Sequence, residues 1–244
     1  MLTLSIRKDN STIRFGPAIW SEADGGPITA AAAAQQLAGK TVLVLVHGYR
    51  VDDALDAYAR VLLHVGDLYD EVVAVLWPGS HLLLGYLFAQ WRAARAGELL
   101  AAALAPIRAE VDIEGHSLGC RVTMEALRAG GIYPRHVILT AAAIDNESLQ
   151  RGERYGAACA AAEWILVAHS RRDRVLRTAY TLGSWDQALG LRGPQRPDLC
   201  PANVQALDLT PGIAGHSEYK RCPELFAAWR RLAGAGVPTS SAFS

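Results

Sequence analysis

The run Val42-Leu43-Val44-Leu45-Val46 leaves no position for a side chain that faces water. A strand with one solvated face alternates apolar and polar residues, so a continuous run of valine and leucine closed by Gly48 predicts a strand covered on both faces. Such strands belong to parallel sheets, whose crossover connections lay helices above and below. The remaining sequence supplies those layers. "EVVAVLWPG", "EVDIEG", "HVILTAAAI", "EWILVAHS" and "NVQALDL" read as further strands. Between them, Leu55, Tyr58, Ala59, Leu62 and Leu63 recur at helical spacing, with Asp52 or Asp53 as the cap and Gly66 as the stop. Leu84, Leu87, Phe88 and Trp91 mark one face of a long helix reaching about Leu104. Leu118 to Arg128 forms a helix ended by Gly130-Gly131, and Pro223 opens a last one over Glu224 to Leu232. The expected fold class is α/β: a mostly parallel central sheet with helices on both faces.

The first residues differ from this pattern. "LTLSIRKDNSTIRFG" holds two short alternating runs around an Asp-Asn-Ser cluster, which predicts a hairpin or two edge strands, and Thr29 can cap an Ala-rich helix ending near Gly39. With 244 residues the chain suits one large domain over 1–234, in which 1–38 carries these strands and the short helix and 41–234 the core. Residues 235–244 lack periodicity and read as a loose tail.

Charge narrows the partners. The 24 lysines and arginines balance 24 aspartates and glutamates, so nucleic acid and anionic membranes are not expected ligands. No apolar run approaches the roughly 18 residues of a membrane span, and no leader pattern opens the chain. A soluble, cytoplasmic protein is the expectation. Cys120, Cys159, Cys200 and Cys222 show no CxxC spacing and read as buried or free thiols. There is no HExxH and no paired-histidine spacing, so no metal or other cofactor is expected. Oligomeric state is not legible.

One motif carries chemistry. In "DIEGHSLGCRV", Ser117 stands between Gly115 and Gly119 where a strand gives way to a helix. A serine hydroxyl is a weak nucleophile and needs exposure, a base and donors for an oxyanion. A strand-turn-helix elbow supplies the first, its small flanking residues letting neighbouring chain come close. For the base, the chain order Ser, acid, His leaves His136, His169 and His216. His136 and His169 fall in strands, whereas His216 lies in a Gly-rich loop after the last strand, the place from which a base can reach. Two acids follow strands, Asp145 in "AAAIDNES" and Asp173 in "HSRRDRVL"; either could orient the imidazole. Leu118 N–H and Tyr49 N–H are the candidate oxyanion donors, with Gly48 allowing the close turn. His47 reads as a hydrogen-bonding support.

These residues, with "VLVHGY", "LWPG", "GHSLGCRV", "AAAID", "HSRRDRVL", "LGLRGP" and "GHSEY" in order from Thr41 to Tyr219, resemble the α/β-hydrolase superfamily. More narrowly, they are similar to a bacterial branch of uncharacterised, esterase- and lipase-like serine hydrolases. The resemblance implies a Ser-His-Asp hydrolase in which Ser117 is the nucleophile, His216 the base and Asp173 the acid. Asp145 is the alternative acid, at a position where some lipases of the superfamily carry theirs. No long insertion separates "HVILTAAAI" from "EWILVAHS", so no large cap domain is expected. The pocket must then come from loops, chiefly the one after Trp77-Pro78-Gly79 and the stretch Leu182 to Pro201; the apolar "SHLLLGYLF" reads first as a helix face packed on the sheet and second as a lining for an acyl chain. A small-molecule carboxylic ester is the expected substrate. Acyl transfer or thioester cleavage on the same residues, and a non-catalytic binding protein of this fold, are the alternatives.

Overall fold

The computed structural model describes residues 1–8, 13–49, 54–79, 86–180 and 186–234. Asp52, Asp53, Leu84 and the 235–244 tail therefore lie outside the described residues, as do Ser80 to Gly85. Among the described residues, nine strands form one sheet in the order β3-β2-β1-β5-β4-β6-β7-β8-β9. These are β1 Leu2–Arg7, β2 Ile13–Ser21, β3 Gly26–Ile28, β4 Thr41–Val46, β5 Glu71–Leu76, β6 Glu110–His116, β7 His136–Thr140, β8 Trp164–His169 and β9 Val204–Asp208. β1 and the six strands from β4 to β9 pair in parallel, while β2 and β3 run antiparallel at one edge. The expected opening hairpin is present, and β3 extends it by a third, three-residue strand.

Among the described residues the helices of eight residues or more are α1 Ala30–Leu37, α2 Ala54–Val65, α3 Tyr86–Leu104, α4 Gly119–Ala129 and α5 Pro223–Gly234. Thr29 caps α1, its hydroxyl accepting from Ala32 N–H at 3.1 Å. Side-chain direction along β6 tells which helices cover which face, because successive residues point to opposite sides. Toward one side, a side chain at Gly115 would meet Cys120 and Thr123 of α4, against which α3 packs. Toward the other, Asp112 accepts from Tyr69 Oη–H, and Tyr69 Oη accepts from Trp229 Nε1–H of α5. α2 packs on α5 on that second side. Val42 to Val46 are all buried, as a strand between two helical layers requires.

Three features depart from the sequence reading. α2 turns Ala54, Ala57, Tyr58, Val61 and Val65 inward and leaves Leu55 and Leu63 51% and 82% exposed. Small residues let this helix lie close to the sheet, and the leucines flank the stripe. Trp91 of α3 is 68% exposed. β7 stops at Thr140 because Ala141 takes a left-handed φ of 48°, which ends the ladder and turns "AAAI" across the sheet edge. All four cysteines are buried and unpaired. Among the described residues no helix is long and apolar enough to cross a membrane.

Candidate active site

Ser117 follows the last residue of β6 with φ at 56°, a conformation that costs a residue with a side chain about 1 kcal/mol or more. Close packing holds it there. Its N–H donates to Thr140 C=O at 2.9 Å, and its C=O accepts from Ala143 N–H at 3.1 Å, so the turn is pinned to the chain leaving β7. A side chain at Gly119 would sit 2.3 Å from Val46 C=O, and one at Gly48 would sit 2.9 Å from Ser117 Cβ. Only glycine lets these three segments meet. Gly115 plays the same part toward α4, whose Cys120 Cα would be 3.0 Å from an added methyl.

His216 stands in the loop after β9, and its Nε2 lies 2.9 Å from Ser117 Oγ. Its Nδ1 lies 2.8 Å from Asp173 Oδ2. A carboxylate accepts, so the proton belongs on Nδ1, and Nε2 is left to accept from the serine hydroxyl. Asp173 is fully buried; its Oδ1 also accepts from Leu176 N–H at 3.1 Å, so one side chain caps the turn that follows and orients the imidazole. The His216 loop is itself tied down. Ser170 Oγ–H donates to Ile213 C=O at 2.8 Å, and Glu218 Oε2 accepts from Ala214 N–H at 2.6 Å.

Asp145 is directed elsewhere: it accepts from Tyr180 Oη–H and pairs with Ala188 as an isolated antiparallel bridge. The structure thus brings Ser117, His216 and Asp173 into one hydrogen-bonded line and leaves Asp145 outside it. His136 lies at the far end of β7 with Asp112, and His169 is buried in β8 beneath Gly193.

Leu118 is the N-cap of α4, so its N–H has no acceptor within the helix, and it borders the cavity together with Tyr49. His47 fixes the turn on which Tyr49 stands. Its Nδ1–H donates to Gly48 C=O at 2.7 Å, its Nε2 accepts from Trp77 N–H at 3.2 Å, and its ring stacks on Trp77. Burial pushes His47 down to about 4, which keeps the ring in the neutral form these bonds need.

The cavity in front of Ser117 encloses about 350 Å³. Ala54, Ala57 and Val61 of α2 form one wall, and Val175 and Leu176 after Asp173 form another. Sequence reasoning placed the walls in the loop after Gly79 and in Leu182 to Pro201. The described part of the second stretch instead folds back onto the chain after β7, where Gly190 N–H donates to Ala142 C=O at 2.9 Å. The segment after Gly79 lies outside the described residues up to Gly85. Sequence reasoning also missed Glu114, His116, Tyr58 and Lys220, which border the same cavity. The alternation Asp112, Glu114, His116 in a strand buried on both faces was the available signal, since polar side chains there need a reason.

The family described as alpha/beta hydrolase of unknown function (DUF900) matches residues 29–232. No curated protein matches the chain in sequence. Among solved structures, the product of gene lin2722 from Listeria innocua is 12% identical with a TM-score of 0.51, covering 82% of this chain and 96% of that one. TT1662 from Thermus thermophilus is 16% identical with a TM-score of 0.49, covering 90% and 94%. A pyrethroid hydrolase from Sphingobium faniae JZ-2 is 17% identical with a TM-score of 0.49, covering 80% and 98%. At 12% identity the likeness to the Listeria protein is one of fold.

Proposed function

This chain belongs to the alpha/beta-hydrolase family of unknown function matched over residues 29–232, and from that premise we propose that it is a serine hydrolase of carboxylic esters. Ser117 is the nucleophile, His216 the general base and Asp173 its orienting acid. One observation carries the reading: the line Asp173 to His216 to Ser117, with contacts of 2.8 and 2.9 Å, in which the middle group has one tautomer suited to both neighbours.

The reaction follows from that line. Ser117 Oγ attacks the ester carbonyl carbon as its proton passes to His216 Nε2, and Asp173 stabilises the imidazolium that forms. The carbonyl oxygen becomes an oxyanion and is met by Leu118 N–H and Tyr49 N–H, on turns that are already fixed. His216 then gives its proton to the departing alkoxide, leaving an acyl ester on Ser117. Water then attacks the acyl carbon as it loses a proton to His216; the bond from that carbon to Ser117 Oγ breaks, the acid leaves, and His216 returns the proton to Oγ. A small-molecule ester fits a cavity of about 350 Å³ with largely apolar walls.

A fluorophosphonate probe tests this directly. Folded wild-type protein should be labelled at Ser117 and Ser117→Ala should not. Unlabelled wild type, or equal labelling of the variant, would reject the assignment.

A further inference from the structure

We infer that the floor of the Ser117 cavity recognises a hydroxyl group on the bound ester, with Glu114 and His116 as its hydrogen-bonding partners. The inference rests on the ester-hydrolase reading for the reaction but on separate residues for recognition.

Glu114 is 4% exposed, in the middle of a strand whose pairing places it beside Leu45 and Ile138. Isolating a carboxyl group in such surroundings is costly, and packing alone would select a valine or leucine there. Only part of its bonding capacity is used within the protein. Oε1 accepts from Thr140 Oγ1–H at 2.7 Å, whereas Oε2 has no hydrogen-bond partner among the described residues, and the residue borders the cavity.

His116 completes the set through the same threonine. With the Thr140 hydroxyl donating to Glu114, its oxygen accepts from His116 Nδ1–H at 3.1 Å. That leaves His116 Nε2 as an acceptor, without a hydrogen-bond partner among the described residues, on a side chain that also borders the cavity. Burial, then the charge that can form on His216, holds His116 well below the ordinary histidine range, so the ring stays neutral.

Nε2 accepts, and Oε2 accepts when the carboxyl is ionised and donates when it holds a proton; in a cavity where Ala54, Ala57, Val61 and Leu176 form the apolar wall and Tyr58, Tyr180 and Lys220 also border, the pair calls for a ligand that is largely apolar and carries a group able both to donate and to accept. A hydroxyl does both. A plain alkyl chain would leave Oε2 and Nε2 desolvated and unpaired, the situation by which sites built for a polar group reject apolar analogues. The two residues are separated by one position on β6, about 6.6 Å along the strand, so the hydroxyl lies deeper than the carbonyl bound at Ser117.

The hydroxyl could belong to the acyl or to the alcohol part of the ester, and two arms separate these sources. In Ser117→Ala, which binds without turnover, calorimetry compares methyl 6-hydroxyhexanoate with methyl hexanoate, and 6-hydroxyhexyl acetate with hexyl acetate. One hydroxylated ester should bind about 10- to 100-fold more tightly than its plain partner, and that arm identifies the source. Adding Glu114→Leu should abolish or reverse the preference. Equal affinities within both pairs, or a preference that survives Glu114→Leu in protein with a normal unfolding transition, would overturn the inference. Should Glu114→Leu not fold, the comparison within Ser117→Ala still decides. Loss of fluorophosphonate labelling in wild type would reject the hydrolase reading and leave this binding result standing, so the two failures are distinct.

Discussion

Ser170 Oγ donates to Ile213 C=O at 2.8 Å and so joins the loop after β8, which carries Asp173, to the loop after β9, which carries His216. Both residues are buried, and neither borders the cavity. Ser170→Ala should lower kcat for a p-nitrophenyl ester by about tenfold while KM stays within about twofold, because the imidazole loses its fixed orientation rather than its partner. The orphaned Ile213 carbonyl should cost about 1–3 kcal/mol in urea unfolding. A large KM change with kcat intact would show that this loop serves binding instead.

Asp173 and Asp145 are separable by amide substitution. Asp173→Asn favours the wrong imidazole tautomer and should reduce kcat by about three to four orders of magnitude. Asp145→Asn weakens the contact to Tyr180, a cavity residue, and should change KM more than kcat. If the Asp145 variant shows the larger kcat loss, the acid has been misassigned.

The glycines around the elbow differ in what an added methyl would meet. At Gly119 it would lie 2.3 Å and 2.5 Å from the Val46 and His47 carbonyls, which are fixed in and after β4. Gly119→Ala should therefore lose several kcal/mol, of the order of about 3 or more, or fail to fold. At Gly48 the nearest atoms are Ser117 Cβ at 2.9 Å and His116 C=O at 3.2 Å. Gly48→Ala should fold with a lowered thermal midpoint and lose about 100-fold in kcat, as the Tyr49 turn is displaced from the oxyanion. Unchanged kcat in that variant would remove Tyr49 from the proposed pair of donors.

Glu114 links stability to pH. Burial raises its carboxyl from 4.5 to about 7, although the Thr140 hydrogen bond and the charge of Lys220 pull the other way. Between these values the folded protein holds a proton that the unfolded chain has released, so this residue makes stability fall as pH rises through the window. The accumulated loss above about pH 7 is on the order of 3 kcal/mol. Glu114→Gln lacks this dependence. Its stability relative to wild type, read as the difference in unfolding free energy, should rise from pH 4.5 to 8, and a difference that stays flat across that range would contradict the assignment.

The layers of the sheet were legible because β4, β7 and β8 are buried on both faces, which forces runs with little polar interruption. Ser117, His216 and the two aspartates could be picked out for a similar reason: a glycine-flanked serine after a strand, and a histidine and acids on loops at one sheet edge, are rare enough to notice. The choice of Asp173 over Asp145 was not carried by residue type, since both follow strands. It depends on which loop crosses toward His216, and Ser170 and Tyr180 decide that only once the chain is folded. The cavity was harder still. Its α2 wall is made of alanines and a valine, whereas spacing alone drew attention to Leu55 and Leu63, which face outward. Glu114 and His116 sat in a run read simply as a strand.

The hydrogen bond between His216 and Ser117 spans 99 residues. Closing so long a loop is entropically costly and cannot precede the pairing of β8 with β9, which brings the His216 segment to the sheet edge. The nucleophile turn and its glycines can assemble from β4, β6 and β7 beforehand. A nascent chain emerging from the ribosome would thus present a shaped but inert serine until its last strand docks. During refolding, fluorescence of Trp77, fully buried beside His47, should recover ahead of esterase activity.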